Sequence, residues 1–168
     1  NLAEKIMAQS EIFGFYPNAD AIEHSLEVQV PFLQVVLKDF KIVPILMGHH
    51  SEYVYSTISN ALANTIKDNE GILLLASTDM SHYHPYRVAI SMDDVALTSI
   101  KRMDTDQLMD DLESGECELC GAGPVITVLM TAKKLGANRI EILKYANSGD
   151  VTGDKSGGVV GYFSAAIY

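Results

Sequence analysis

The residues with most chemical potential sit where an apolar run breaks into reactive groups, in Leu73-Leu74-Leu75-Ala76-Ser77-Thr78-Asp79-Met80-Ser81-His82-Tyr83-His84. Two further candidates lie far away in sequence: His24, flanked by Glu23 and Glu27, and Cys120, in Cys117-Glu118-Leu119-Cys120-Gly121-Ala122-Gly123-Pro124. Brought together, His24 and Cys120 with Asp79 and His82 would form a mixed nitrogen, sulfur and oxygen site. Thiolate and imidazole are softer donors than carboxylate, so such a site suits zinc, iron or copper better than magnesium or calcium. His82 could instead act as acid or base, with Asp79 selecting its tautomer. A third chemistry pairs Cys120 as nucleophile with His82, as in amide or ester hydrolases. Cys117 and Cys120 also form a Cys-x-x-Cys pair, but no second such pair exists to complete a zinc site, and the pair does not follow a strand as a thioredoxin motif does.

Positioning these groups requires alternating strands and helices. Gly71 to Ala76 is a short continuous apolar segment, which predicts a strand covered on both faces, and in parallel sheets ligands bind beyond the carboxyl ends of such strands. Lys41 to Gly48 predicts another strand, with Pro44 marking an edge or a bulge. Its end carries His49 and His50, which read more readily as turn residues than as ligands. Arg139 to Ala146 and Gly157 to Tyr168 complete the strands.

Helical spacing appears at Leu2, Ile6 and Met7, and again at Leu26, Val30, Leu33 and Leu37, where Pro31 implies a kink or a late start. A third helix follows a Ser51 N-cap through Val54, Ile58, Leu62 and Ile66, and a fourth carries the stripe Met92, Val95, Ala96, Ser99, Ile100 and Met103. Asp104 with Gln107 resembles a capping box for a short helix ending at Gly115, and Pro124 and Gly136 bracket a last one. Cys120 precedes that last helix, where the dipole favours a thiolate. The loop Asn147 to Asp154 lacks phosphate-loop spacing despite Lys155-Ser156. The fold expected is α/β, a mostly parallel central sheet flanked by helices, with an antiparallel last strand as a variant.

Composition narrows the partners. The 168 residues suit one domain with a substantial core, and 12 basic against 22 acidic residues give a net charge of −10. That balance opposes nucleic acid and anionic membranes, which bind through clustered Lys and Arg. No apolar stretch approaches the roughly 20 residues of a membrane span, the first residues are not a secretory signal, and the two cysteines imply a reducing compartment, so a cytoplasmic protein is expected. The chain starts at Asn1, at the head of a predicted helix, and is expected to be a fragment or a processed form.

Four ordered phrases carry a resemblance: Glu23-His24-Ser25-Leu26-Glu27-Val28-Gln29-Val30-Pro31-Phe32-Leu33, Ser77-Thr78-Asp79-Met80-Ser81-His82-Tyr83, Cys120-Gly121-Ala122-Gly123-Pro124 and Tyr145-Ala146-Asn147-Ser148-Gly149-Asp150. Together they resemble the Memo family, known in bacteria and archaea as AmmeMemoRadiSam system protein B, over essentially residues 1–168. The resemblance implies a fold like that of the LigB-type class III extradiol dioxygenases, which use non-haem iron, and a metal pocket of two His and one Cys. It places a ligand His at His24, the ligand Cys at Cys120, and the acid/base His at His82 with Asp79 beside it.

The family's other ligand His, in an N-terminal Pro-His-Ala-Gly-Tyr-like segment, has no counterpart here. The resemblance therefore implies a single Memo-like domain lacking its N-terminal part, with that segment as an expected partner. It implies Fe(II) or copper as cofactor and a metal-dependent, dioxygenase-like redox enzyme as function. The alternative is a non-catalytic binding or scaffold protein, engaging phosphopeptides or a radical-SAM-system partner, and the second alternative is the Cys-His hydrolase.

Overall fold

The computed structural model describes residues 1–21 and 23–168. Six segments lead the chain before any strand is hydrogen-bonded. They are helices α1 (Leu2–Met7), α2 (Pro17–Asp20), α3 (Val30–Val36) and α4 (Glu52–Ile66), and two extended runs over residues 41–48 and 71–79. Strand β1 (His82–Pro85), helices α5 (Tyr86–Lys101), α6 (Thr105–Ser114) and α7 (Ala122–Lys134), strand β2 (Ile140–Asn147), the short helix α8 (Ser148–Thr152) and strand β3 (Gly158–Ile167) follow.

Local chemistry accounts for most of these boundaries. Ser51 accepts from the Val54 amide at the start of α4, and Asp104 accepts from the Gln107 amide at the start of α6. Gln107 turns its side chain to Asp111, so the reciprocal half of the expected capping box is not made. Helix α6 ends on Gly115 at φ 76°, a left-handed conformation that glycine adopts without a Cβ clash. Pro31 is the second residue of α3, where its missing N–H costs no helical bond, so the regular turns start beside it instead of kinking around it. Helix α7 starts two residues before Pro124.

The sheet differs from expectation. Among the described residues it has three strands in the order β1-β3-β2, and both pairings are antiparallel. The predicted mostly parallel central sheet is therefore corrected: the fold is α/β with helices and a small antiparallel sheet. Residues 41–48 and 71–76, whose continuous apolar runs predict strands, enter no ladder among the described residues, although their side chains are alternately more and less exposed. Apolar patterning reports burial and pleat, whereas ladder pairing depends on which backbone lies alongside.

Two clusters make the core. The larger packs Met80, Ala96, Ile100, Leu108, Cys117, Val125, Ile126 and Leu129, joining α5, α6 and α7 beneath the sheet. The smaller sets Ile6 of α1 against Ile58 and Leu62 of α4, with Val43, Ile45, Met47 and Leu74 of the extended runs packed on them. Met80 is fully buried, so the segment bearing Asp79 and His82 is rooted in the larger cluster.

Gly161 of β3 lies so close to Asp93 of α5 that a Cβ there would collide with the carboxylate. Gly161→Ala is expected to destabilise the protein by about 1–3 kcal/mol, the usual cost of overpacking. Gly157→Ala, where a Cβ would meet nothing within 4 Å, should leave the melting temperature almost unchanged. Thermal unfolding of the two variants checks the contrast.

Candidate metal centre

The centre is built on residues 77–81, which lead into β1, on His82 at the start of that strand, and on the turn leading into α7. Main-chain bonds sew this connection to β3: the Met80 amide donates to the Gly161 carbonyl (2.9 Å) and the Gly161 amide to the Ser81 carbonyl (3.0 Å). Beneath it, the buried Asp93 carboxylate accepts the Ser81 amide (3.0 Å) and the Tyr145 hydroxyl (2.7 Å). Burial and this contact with Asp93 push the Tyr145 phenol well above its ordinary range, so it remains a donor.

A second set of bonds brings Cys120 to the same place. The Cys120 amide donates to the Asp79 carbonyl (3.2 Å), and the Asp79 amide donates to Cys120 Sγ (3.1 Å). Thr78 Oγ1 accepts the Gly121 amide (2.8 Å), donates to the Asp79 carbonyl (2.7 Å) and lies 3.8 Å from Sγ. A Cβ at Gly121 would stand 2.8 Å from Thr78 Cβ and would also collide with the Ser77 carbonyl, so glycine there permits the close approach.

One ligand atom each from Asp79, His82 and Cys120 lie within 4.8 Å of one another. His82 Nε2 is 3.8 Å from Asp79 Oδ2. That is beyond hydrogen-bonding distance, so in this geometry Asp79 does not select the imidazole tautomer through a hydrogen bond. Two donors at about 2.0–2.2 Å from one tetrahedral ion stand about 3.3–3.6 Å apart, so the two groups would close by a few tenths of an ångström on binding one. Asp79 and His82 are partly buried and Cys120 is exposed, so the site opens to solvent.

Glu118 holds the neighbouring strand in place. It accepts the His82 amide (3.1 Å) and shares a hydrogen bond with His84 Nε2 (2.8 Å). Burial alone would raise its carboxyl pKa, but these bonds outweigh burial and hold it below the usual range. They also span Tyr83, which has a left-handed φ of 59° that a non-glycine residue adopts only when its surroundings compel it.

His24 is not among the converging residues. Its Nδ1 is 2.7 Å from Glu27 Oε1 in an exposed pair, and that carboxylate raises the imidazole pKa. Its segment is nonetheless tied to the site, because Gln29 Nε2 donates to Ser77 Oγ (3.0 Å). Asp93 and Glu118 are the positioning groups that motif reading passed over. Asp93 had a visible signal: it lies on the face Ala89, Asp93, Ala96, Ile100, which is otherwise apolar, and a carboxylate buried there must have partners. Lys155 belongs to a clamp, lying 4.0 Å above the Tyr86 ring and 2.8 Å from its hydroxyl, which donates to Asp150.

Antiparallel sheet, flanking helices and an acid, imidazole and thiol cluster at a strand entrance define an α/β protein with a metal-capable site. The family model for Memo-like proteins matches residues 1–166. A MEMO1 family protein of Saccharolobus islandicus is 37% identical over 164 residues, covering 96% of this chain and 57% of its own length. One from Methanosarcina mazei is 43% identical over 147 residues (86% and 55%), and one from Methanocaldococcus jannaschii 37% over 169 residues (98% and 58%). The chain belongs to the Memo family. It spans a little over half the length of these curated relatives. No described helix is long and apolar enough to cross a membrane.

The two thiols differ in kind. Both are free, but Cys117 is buried, and burial, reinforced by nearby Asp111 and Asp93, pushes its pKa up to about 11. It is a core thiol and not half of a dithiol metal site. In metal-free native protein at pH 8, an aromatic disulfide reagent should label Cys120 and spare Cys117, with both reacting in denaturant. Mass spectrometry of the labelled peptides reads the result.

Proposed function

We propose that Asp79, His82 and Cys120 hold a single transition-metal ion, iron or copper, in a Memo-family redox centre of dioxygenase-like architecture. The observation supporting this is the convergence of three chemically different ligand atoms within 4.8 Å. The donor set fits: one thiolate and one imidazole favour a softer first-row metal, while the carboxylate adds charge. A bound ion of that kind would supply electron transfer or Lewis-acid activation at the open side of the site.

The chain's own residues do the remaining work. The Asp79 amide and the Thr78 hydroxyl face the sulfur and orient it. Glu118 fixes the His82 main chain, so the ring is presented from a constrained strand. His24 is assigned no ligand role within this chain. The Cys120 and His82 hydrolase reading is less favoured, because the Asp79 carboxylate converges on the same point and completes a ligand set.

Anaerobic titration with Co(II), followed through thiolate-to-metal charge transfer, tests the assignment. Cys120→Ala and His82→Ala should each weaken binding beyond the roughly 10–100-fold that loss of an outer-sphere partner costs, and Cys120→Ala should abolish the charge-transfer band. His24→Ala should leave affinity unchanged. Equal affinity in Cys120→Ala and the parent chain would remove the proposal.

A further inference from the structure

Strand β1 carries a bulge between its two histidines. His82 pairs with Val160 of β3 and His84 with the adjacent Val159, so Tyr83 has no partner of its own. In an even strand, Tyr83 would point away from the face that His82 occupies. An extra residue re-aims the side chain, a device found beside functional sites. Here the left-handed φ of 59° at Tyr83 sets its ring 6.2 Å from the His82 ring, within the spacing of aromatic neighbours. Glu118 spans the bulge, and a Cβ on Gly158 would collide with the Tyr83 carbonyl, so the surroundings are shaped to hold this conformation. The ring presented in this way is 80% exposed.

The charge around this ring has one sign. Asp79 and Glu118 supply carboxylates on either side of His82, and residues 71–86, 113–132 and 156–168, which build the site, contain no Lys or Arg. Gly161 turns its Cβ position toward the buried Asp93, so the next residue, Tyr162, faces the other way. Burial, the Asp79 charge and Tyr83 raise the Tyr162 phenol above its ordinary range, which keeps it a neutral hydroxyl.

Elsewhere the same chain covers tyrosine faces with cations. Lys155 Nζ lies 4.0 Å above the Tyr86 ring and 3.4 Å from the Asp150 carboxylate. The Arg139 guanidinium lies 5.2 Å above the Tyr168 ring, whose hydroxyl donates to Glu141. A π face attracts a cation, and a nearby carboxylate adds to the attraction. Tyr83 has the ring and the neighbouring carboxylates, and among the described residues no Lys or Arg lies over it.

We propose that Tyr83 is the recognition residue of this site and binds an organic cation, an alkylated ammonium resting on its exposed face and drawn there by the Asp79 and Glu118 carboxylates. The proposal rests on the reading of Asp79, His82 and Cys120 as a functional site and gives that site its ligand class. A phosphate or carboxylate group fits less well, because the carboxylates repel it and no Lys or Arg in the segments that build the site receives it. A neutral apolar group gains nothing from the charge. A divalent ion held by Asp79 and the Cys120 thiolate is balanced by those two ligands, so the pull of Glu118 and of the ring remains.

The test compares choline with neohexyl alcohol, its uncharged isostere with a tert-butyl group in place of trimethylammonium. Each is titrated into the metal-free chain and followed through the probe's methyl resonances. Choline should bind at least about fivefold more tightly than the alcohol. Tyr83→Leu should abolish that preference, as should Tyr83→Asn, which accepts the left-handed backbone more readily. Tyr83→Phe should keep it, because the π face is retained, and Asp79→Asn should weaken choline while sparing the alcohol. Equal binding of the two probes by the parent chain would overturn the proposal. So would a preference that survives both ring deletions, or one lost in Tyr83→Phe. Metal is left out of the titration, so failure of the Co(II) assignment and failure of this proposal are read separately.

Discussion

The structure depends on one buried carboxylate. Asp93 sits in the apolar face of α5 and is satisfied only because the Ser81 amide and the Tyr145 hydroxyl both donate to it. Hydrogen bonds to a charged group contribute about 1.5–3 kcal/mol each, and leaving a buried carboxylate unpaired costs more than losing the bond. This single group therefore fixes α5, β2 and the connection 77–82 relative to one another. Gly161 belongs to the same constraint, because only a residue without a Cβ lets β3 pass this close to the carboxylate.

From that anchor the candidate centre follows by short steps. With Ser81 held from below and Met80 buried, the ligand atoms of the partly buried Asp79 and His82 converge with Cys120. The exchanged main-chain and sulfur bonds between Asp79 and Cys120 then bring the turn before α7 against them. Glu118 closes the arrangement by holding the His82 and His84 segment through a left-handed Tyr83. Rigid backbone contacts place all three donors, so the site does not rely on flexible side chains reaching for one another.

Much of this was legible in the residues themselves. Asp79, His82 and Cys120 stood out by type and by their positions at element ends, and α4, α6, β2 and β3 follow from capping and alternation. The sheet was less legible. The continuous apolar runs 41–48 and 71–76 read as strands, yet ladder partners are set by distant backbone, and the strand next to the site is β1, downstream of the apolar run. His24 lies outside the converging group in this structure, with its Nδ1 2.7 Å from Glu27 Oε1 three residues on. Asp93 stands out as a carboxylate on an otherwise apolar helical face, but its partners, like those of Glu118, are amides and side chains that sequence spacing does not bring into view.

X-ray absorption on the chain loaded with one equivalent of Fe(II) under anaerobic conditions reads the donor set at the metal. A mixed first shell is predicted, with one sulfur at about 2.3 Å and nitrogen and oxygen at about 2.0–2.2 Å, taking zinc-site distances as the guide. The sulfur contribution should vanish in Cys120→Ala. A shell of nitrogen and oxygen alone in the parent chain would contradict the assignment of Asp79, His82 and Cys120 as one metal centre.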